Sequence, residues 1–193
     1  MKTRLAAHEQ VPLRRGAGLT LVELLMVLAI AAILLSSGVP SFVRLVHSVQ
    51  LSMASNAFLS SLRLARSEAQ RRGGRVAVCK SANGESCTSS GGWEQGWIVF
   101  HDRNNDGQHN SDDTMIQQSD RVSGSVVFTG TAQVASGLAF TALGGARSTG
   151  GGMLAGTLTL CTRAAGPTPA RQVVIAAGGR ARVQQVMLGR CPG

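Results

Sequence analysis

The sequence predicts an α+β fold in which one long N-terminal helix is followed by a β-rich head of short antiparallel strands. Three observations predict it. An apolar stretch near the N-terminus runs directly into a segment with helical periodicity. The rest breaks into short strand-like runs punctuated by glycine. Four cysteines all fall in that second part. A chain of 193 residues suffices for one head with its own core. The expected boundaries are a leader at 1–18, an apolar helix at 19–39, an amphipathic helix at 40–73 and the head at 74–193.

The leader holds Lys2, Arg4, Arg14 and Arg15 against Glu9 alone, the charge signature of a processed segment. The run 19–39 that follows is about 21 residues, roughly 31 Å as a helix, enough to cross a bilayer core of about 30 Å. Arg14 and Arg15 just before it orient the leader to the cytoplasm and the head outward. An ordinary secretory signal is cut after its apolar run. Here the small residue, Gly18, precedes the run, so a cut there leaves the apolar helix on the product. Glu23 lies inside the run, where a charge costs about 2.5–3.5 kcal/mol on insertion scales, and such a residue needs a role.

From Pro40 onward Phe42, Val46, Val49, Met53, Ala57, Leu62, Ala65 and Ala69 recur at three to five residues and mark one helix face. Pro40 is expected to kink the helix without ending it, because the periodicity resumes at once. Arg63, Arg66, Arg71 and Arg72 suit a helix C-terminus, and Gly73 with Gly74 supplies the cap. Strands are expected at 75–80, 96–101, 114–118, 125–129, 138–141, 156–162, 172–176 and 181–187. Loops are expected at 144–152 and 164–170.

An even cysteine count in an exported chain points to two disulfides. The short separation of Cys79 and Cys87 favours a local loop closure, leaving Cys161 with Cys191; the other two connectivities stay open. Neither a C-x-x-C metal spacing nor a Cys-His nucleophile pattern is present. The four histidines are scattered, no Ser-His-Asp or paired-carboxylate constellation forms, and the reading is of a non-enzyme without a cofactor. Trp93 and Trp97 read as core residues.

The net charge is +9, and after Asp120 there are seven arginines and no acidic residue, which suits a polyanion or an anionic lipid surface. In Gly179-Arg180-Ala181-Arg182 two guanidiniums two residues apart project from one face of a strand, and Arg190 or Arg171 can join them. Their planar forks fit phosphate. With few aromatics nearby, contacts to DNA would go to the backbone and be independent of sequence. The bland reading is a solvated basic face. The loop holding Asp102, Asn104, Asp106 and Asp113 follows EF-hand spacing, with Asp where Glu usually closes the shell. An Asx-rich turn between strands explains the same letters, so calcium is the lesser reading.

The run G-L-T-L-V-E from Gly18 to Glu23, followed by an apolar helix and Pro40, resembles the class III signal of type IV prepilins and type II secretion pseudopilins. A-R-S-E-A at 65–69, G-W-I-V-F at 96–100 with its Asp/Asn-rich loop, and G-R-A-R at 179–182 before a final cysteine resemble the FimT/GspH family of minor pilins and pseudopilins. The resemblance implies a type IV pilin-like fold. It also implies cleavage after Gly18 by prepilin peptidase, N-methylation of Leu19, and a filament of other pilins or pseudopilins rooted in the bacterial inner membrane with the head in the periplasm. Glu23 would then pair with the Leu19 amine of a neighbouring subunit on assembly. The G-R-x-R element of FimT-type members implies double-stranded DNA binding for natural transformation, carried here by Arg180 and Arg182. The GspH branch implies a structural role in protein secretion without DNA.

Overall fold

The computed structural model describes residues 18, 20–122, 124–163 and 166–192, without the side chains of 37, 38, 40 and 41. Helix α1 spans Leu21–Arg72. Thr20 caps its start: Oγ1 accepts the Glu23 amide at 3.3 Å and the Thr20 carbonyl accepts the Leu24 amide at 3.1 Å. Thr20 and Glu23 thus hold the positions of an N-terminal capping box, with an acid where the helix dipole favours one. At the other end Gly73 takes φ 63°, and the Gly74 amide reaches back to the Ala69 carbonyl at 3.2 Å. That bond is the signature of a Schellman cap. Glu68 pairs with Arg71 and Arg72, both at 2.7 Å, in the last turn. The helix continues through position 40.

Two compact units divide the chain, Met1–Val43 and Arg44–Gly193. In the first, the described side chains from Leu21 to Ser36 are almost all exposed apolar groups. Among the described residues no helix is long and apolar enough to cross a membrane. The expected span 19–39 reaches beyond those residues at Leu19 and at the side chains of 37 and 38. The leader before Gly18 lies outside them too.

In the second unit the buried face of α1 is Leu51, Ala54, Phe58, Leu62, Ala65 and Ala69. The expected face is right only in its last three members. Phe42, Val46, Val49 and Met53 are exposed, as is Ala57. Steps of three to five residues admit more than one helical stripe, and the stripe that packs is the one carrying Phe58. Phe58 stands edge-on to Trp93, Trp97 and Phe128 at centroid distances of 5.0, 5.1 and 5.0 Å. Both indoles are buried and satisfied, Trp93 by the Val134 carbonyl and Trp97 by Ser61 Oγ, each at 3.0 Å. This matches the preference of buried Trp for a hydrogen-bond partner.

Two antiparallel sheets complete this unit. The strands are β1 Val76–Lys80, β2 Trp97–His101, β3 Thr114–Ser119, β4 Val126–Gly130, β5 Gly137–Phe140, β6 Ala146–Arg147, β7 Gly156–Thr162, β8 Thr168–Ile175 and β9 Ala181–Leu188. The five-stranded sheet runs β3-β2-β1-β5-β6 and the four-stranded sheet β4-β7-β8-β9. Both contribute to one apolar core with α1. Two expected loops contain strand. β6 falls within 144–152, and β8 starts at Thr168, although Pro169 argues against a central strand. The proline is tolerated because pairing with β7 ends at Ala170, so Pro169 faces only β9.

The structure joins Cys79 to Cys87 and Cys161 to Cys191, with Cα separations of 5.6 and 5.7 Å. Lys80, buried beside the first bridge, gives Nζ to the Ser89 and Gly91 carbonyls at 3.0 and 2.7 Å. Burial pushes its pKa down.

Candidate functional site

The register of the four-stranded sheet decides which arginines share a face. Leu158, Leu160, Val173 and Ile175 point to the core, and Arg171 is opposite Leu160 on that same side. Arg182 pairs with Val174, on the other side. Arg171 therefore does not join Arg180 and Arg182. It turns toward α1 and donates from Nη2 to Ser52 Oγ at 2.9 Å.

Arg180 and Arg182 line one groove of about 440 Å³ with Val174, Ala176 and Ala181. Both are exposed, and neither guanidinium makes a hydrogen bond or ion pair among the described residues. No acidic residue lies on the strands of this sheet, so nothing there neutralises them. The hairpin between β8 and β9 sets their position. The Gly179 amide donates to the Ala176 carbonyl at 2.8 Å and the Ala176 amide to the Arg180 carbonyl at 3.0 Å. Gly179 takes φ 78°, and a Cβ there would run into the Gly144 carbonyl oxygen. The glycine of G-R-A-R is thus a seat for the turn, open only to a residue without a side chain.

Arg190 lies toward the other end of β9. From Arg182 to Leu188 is six residues, about 20 Å of strand. The Cys161–Cys191 bridge brings Arg163 and Arg190 to that same end. Sequence reading missed Arg163; its place two residues after a bridged cysteine is the signal that finds it.

The proposed calcium set is not assembled. Asp102 Oδ2 is ion-paired to Arg75 Nε at 3.0 Å and accepts the Gly107 amide at 3.0 Å. Asp106 accepts the Gln108 amide and the Asn104 and Asn110 side chains, and Asp113 accepts the Arg103 and Asn110 amides. These carboxylates are engaged with their own loop, as the Asx-turn reading has it. Among the described residues no three His, Cys, Asp or Glu side chains are placed to hold a metal ion.

At the N-terminal end Gly18 is exposed with open space around it, and Leu19 lies outside the described residues. Glu23 is exposed, three residues past its Thr20 cap. The T-x-x-E spacing was the legible sign of that cap.

The chain matches the family described as Type II transport protein GspH over residues 54–179 and the prokaryotic N-terminal methylation motif over residues 13–39. The fold is similar to two crystal forms of the type IV minor pilin FimU of Pseudomonas aeruginosa. In the first the TM-score is 0.53 at 18% identity, covering 71% of this chain and 90% of that one. In the second it is 0.50 at 18%, covering 69% and 92%. The minor pseudopilin EpsH of the Vibrio cholerae type 2 secretion system matches at a TM-score of 0.48 and 12% identity, over 70% of this chain and 96% of that one. No curated protein sequence matches. The methylation motif indicates a prepilin-like protein anchored in the inner membrane, and the GspH match covers well over half of the 193 residues. The chain therefore belongs to the GspH family of minor pilins and pseudopilins, structural subunits that assemble with other pilins.

Proposed function

We propose that this filament subunit also holds double-stranded DNA by its phosphate backbone, through Arg180 and Arg182, as a FimT-like minor pilin does in uptake. The observation that carries the reading is the shared, exposed, acid-free groove that the two guanidiniums line. Arg190, with Arg163, offers a second basic station about 20 Å along the sheet. Few aromatics lie on this face, so contacts go to phosphate and sequence is not read.

Processing belongs to the same proposal. Prepilin peptidase cuts after Gly18, leaving 19–39 as the inner-membrane helix with the head in the periplasm, and Leu19 carries the methylated amine. Glu23, uncompensated among the described residues, pairs with that amine on a neighbour, turning a costly lone charge in lipid into a paired one. Support comes from the methylation-motif match, which spans all three residues.

The test is fluorescence anisotropy of the full chain in nonionic detergent with a labelled DNA duplex across a sodium chloride series. Two phosphate contacts contribute a slope of about −1.8 in log K against log salt, so Arg180→Ala with Arg182→Ala flattens the plot by that amount. Absence of binding at low salt refutes the DNA role and returns the chain to a purely structural pseudopilin. The exposed Val46, Val49 and Met53 stripe on α1, an apolar surface suited to neighbouring subunits, favours that second reading.

A further inference from the structure

Each of the two sheets has two edge strands, and three of the four are blunted or covered. β6 is two residues long, and the bridge from Arg147 to Met153 lies against it. β3 is bent by a bulge: Val99 and Phe100 of β2 face Gln117 and Met115, so Ile116 is left over. On β4 the Phe128 amide is already taken, by Glu94 Oε2 at 3.0 Å. Short strands, bulges and cover are the ordinary means by which an edge is kept from pairing.

β9 has none of them. Ala181–Leu188 is eight residues, about 26 Å of strand, free of proline and paired to β8 in unbroken register. The hairpin tells which of its backbone groups are spare. The Ala176 amide donates to the Arg180 carbonyl, so that pair is hydrogen-bonded, and in an antiparallel ladder every second pair is. Arg182, Gln184, Val186 and Leu188 therefore turn N–H and C=O toward β8, whereas Ala181, Val183, Gln185 and Met187 turn theirs outward. Pro169 agrees with this phase: it is opposite Met187 and lacks the N–H that an inward pair would need. Among the described residues no hydrogen bond from outside β8 reaches the strand.

The two faces of this edge differ. Ala181 and Val183 pack against the core, and Met187, in phase with them, is 67% exposed. Arg182 is on the other face, with Arg180 just before the strand and Arg190 just after it, all three exposed. No carboxylate on the sheet balances them.

We propose that the β9 edge takes up an extended, acidic segment of a partner protein as an added strand. The guest backbone bonds the outward amides and carbonyls of Ala181, Val183, Gln185 and Met187. Carboxylates at alternate guest positions neutralise the arginine face, and apolar residues between them cover Val183 and Met187. A second copy of this chain suits the edge less, because two β9 strands side by side bring Arg180, Arg182 and Arg190 together twice over with no acid between them. The inference does not rest on DNA binding, which calls on the arginine side chains but not on the strand backbone.

The probe is a fluorescently labelled peptide of alternating Glu and Val, as long as β9, titrated with the full chain in nonionic detergent and followed by anisotropy. Expected is saturable binding, absent for a Lys-Val counterpart and about tenfold weaker when the two central residues of the peptide are N-methylated, which blocks both of its edges. Gln185 is exposed and its N–H faces out, so Gln185→Pro removes an outward donor and no ladder bond. It should weaken the peptide by a similar factor and leave the salt slope of DNA binding as in the parent; the N-methylated peptide decides the same point on the unaltered protein. No saturable binding at about 1 mM peptide overturns the proposal. So does equal binding of the N-methylated or the lysine peptide, which would remove the backbone or the charge from the contact. A dimer of the full chain that Gln185→Pro abolishes would assign the edge to a second copy and overturn it as well.

Discussion

Replacing Gly179 by alanine tests how the arginine hairpin is held. The residue sits at φ 78°, where an alanine costs about 1–2 kcal/mol. The added methyl would also run into the Gly144 carbonyl, which is backbone and yields only if the two turns separate. Overpacking of that kind costs about 1–3 kcal/mol. Together the change should destabilise by about 2–5 kcal/mol, and at about 2–4 °C per kcal/mol for a chain of this size Tm should fall by about 4–20 °C. Gly178→Ala is the internal control, since its Cβ meets nothing within 4 Å and its φ is not in the left-handed region. Thermal melts of both variants, followed by circular dichroism, decide the matter. If the two melt together, within about a degree of the parent, the turn is not seated as described and the placement of Arg180 loses its physical basis.

Three further outcomes are expected. Phe58→Ala empties the centre of the aromatic cluster and should cost about 3–5 kcal/mol by chemical denaturation, more than any exposed α1 substitution. Arg171→Ala should leave the salt dependence of DNA binding unchanged, because its guanidinium faces Ser52 on the core side; an equal loss to that of Arg182→Ala in the anisotropy assay would contradict the face assignment. Hydrogen bonds from Arg71 and then Arg72 lower the Glu68 pKa from 4.5 to about 2. The sign follows: its contribution is present above about pH 4.5 and is lost as pH falls toward about 2, so Glu68→Gln should narrow the difference in Tm between pH 5 and pH 3.

The elements read most clearly in the sequence were those with hard boundaries. β7 opens on Gly156, β9 lies between Gly179 and Gly189, and α1 stops at Arg72 because Gly73 readily takes the left-handed cap. Where the signal was composition alone, reading slipped. Pro169 and the small residues before it masked the start of β8, and the two-residue β6 is too short to carry a period. Parity held information that counting charges overlooked. Arg171 alternates in phase with Val173 and Ile175 on β8, which assigns it to the core side, whereas Arg180 and Arg182 are out of phase with the core-packed Ala181 and Val183 of β9. The acid-rich loop, read first as an Asx turn, shows a related limit. Spacing describes where carboxylates fall along the chain but not which amide each one accepts, and Arg75, far away in sequence, takes the place a cation would need.

The bridge from Cys161 to Cys191 has a topological consequence. β9 is an edge strand, and such a strand can in principle peel away and complete the sheet of another copy. Here the segment beyond it is stitched back to β7, two strands inward, so β9 lies inside a closed covalent ring with β8. Lending it to a neighbour would require a reductant first. In an oxidising compartment each copy keeps its own last strand.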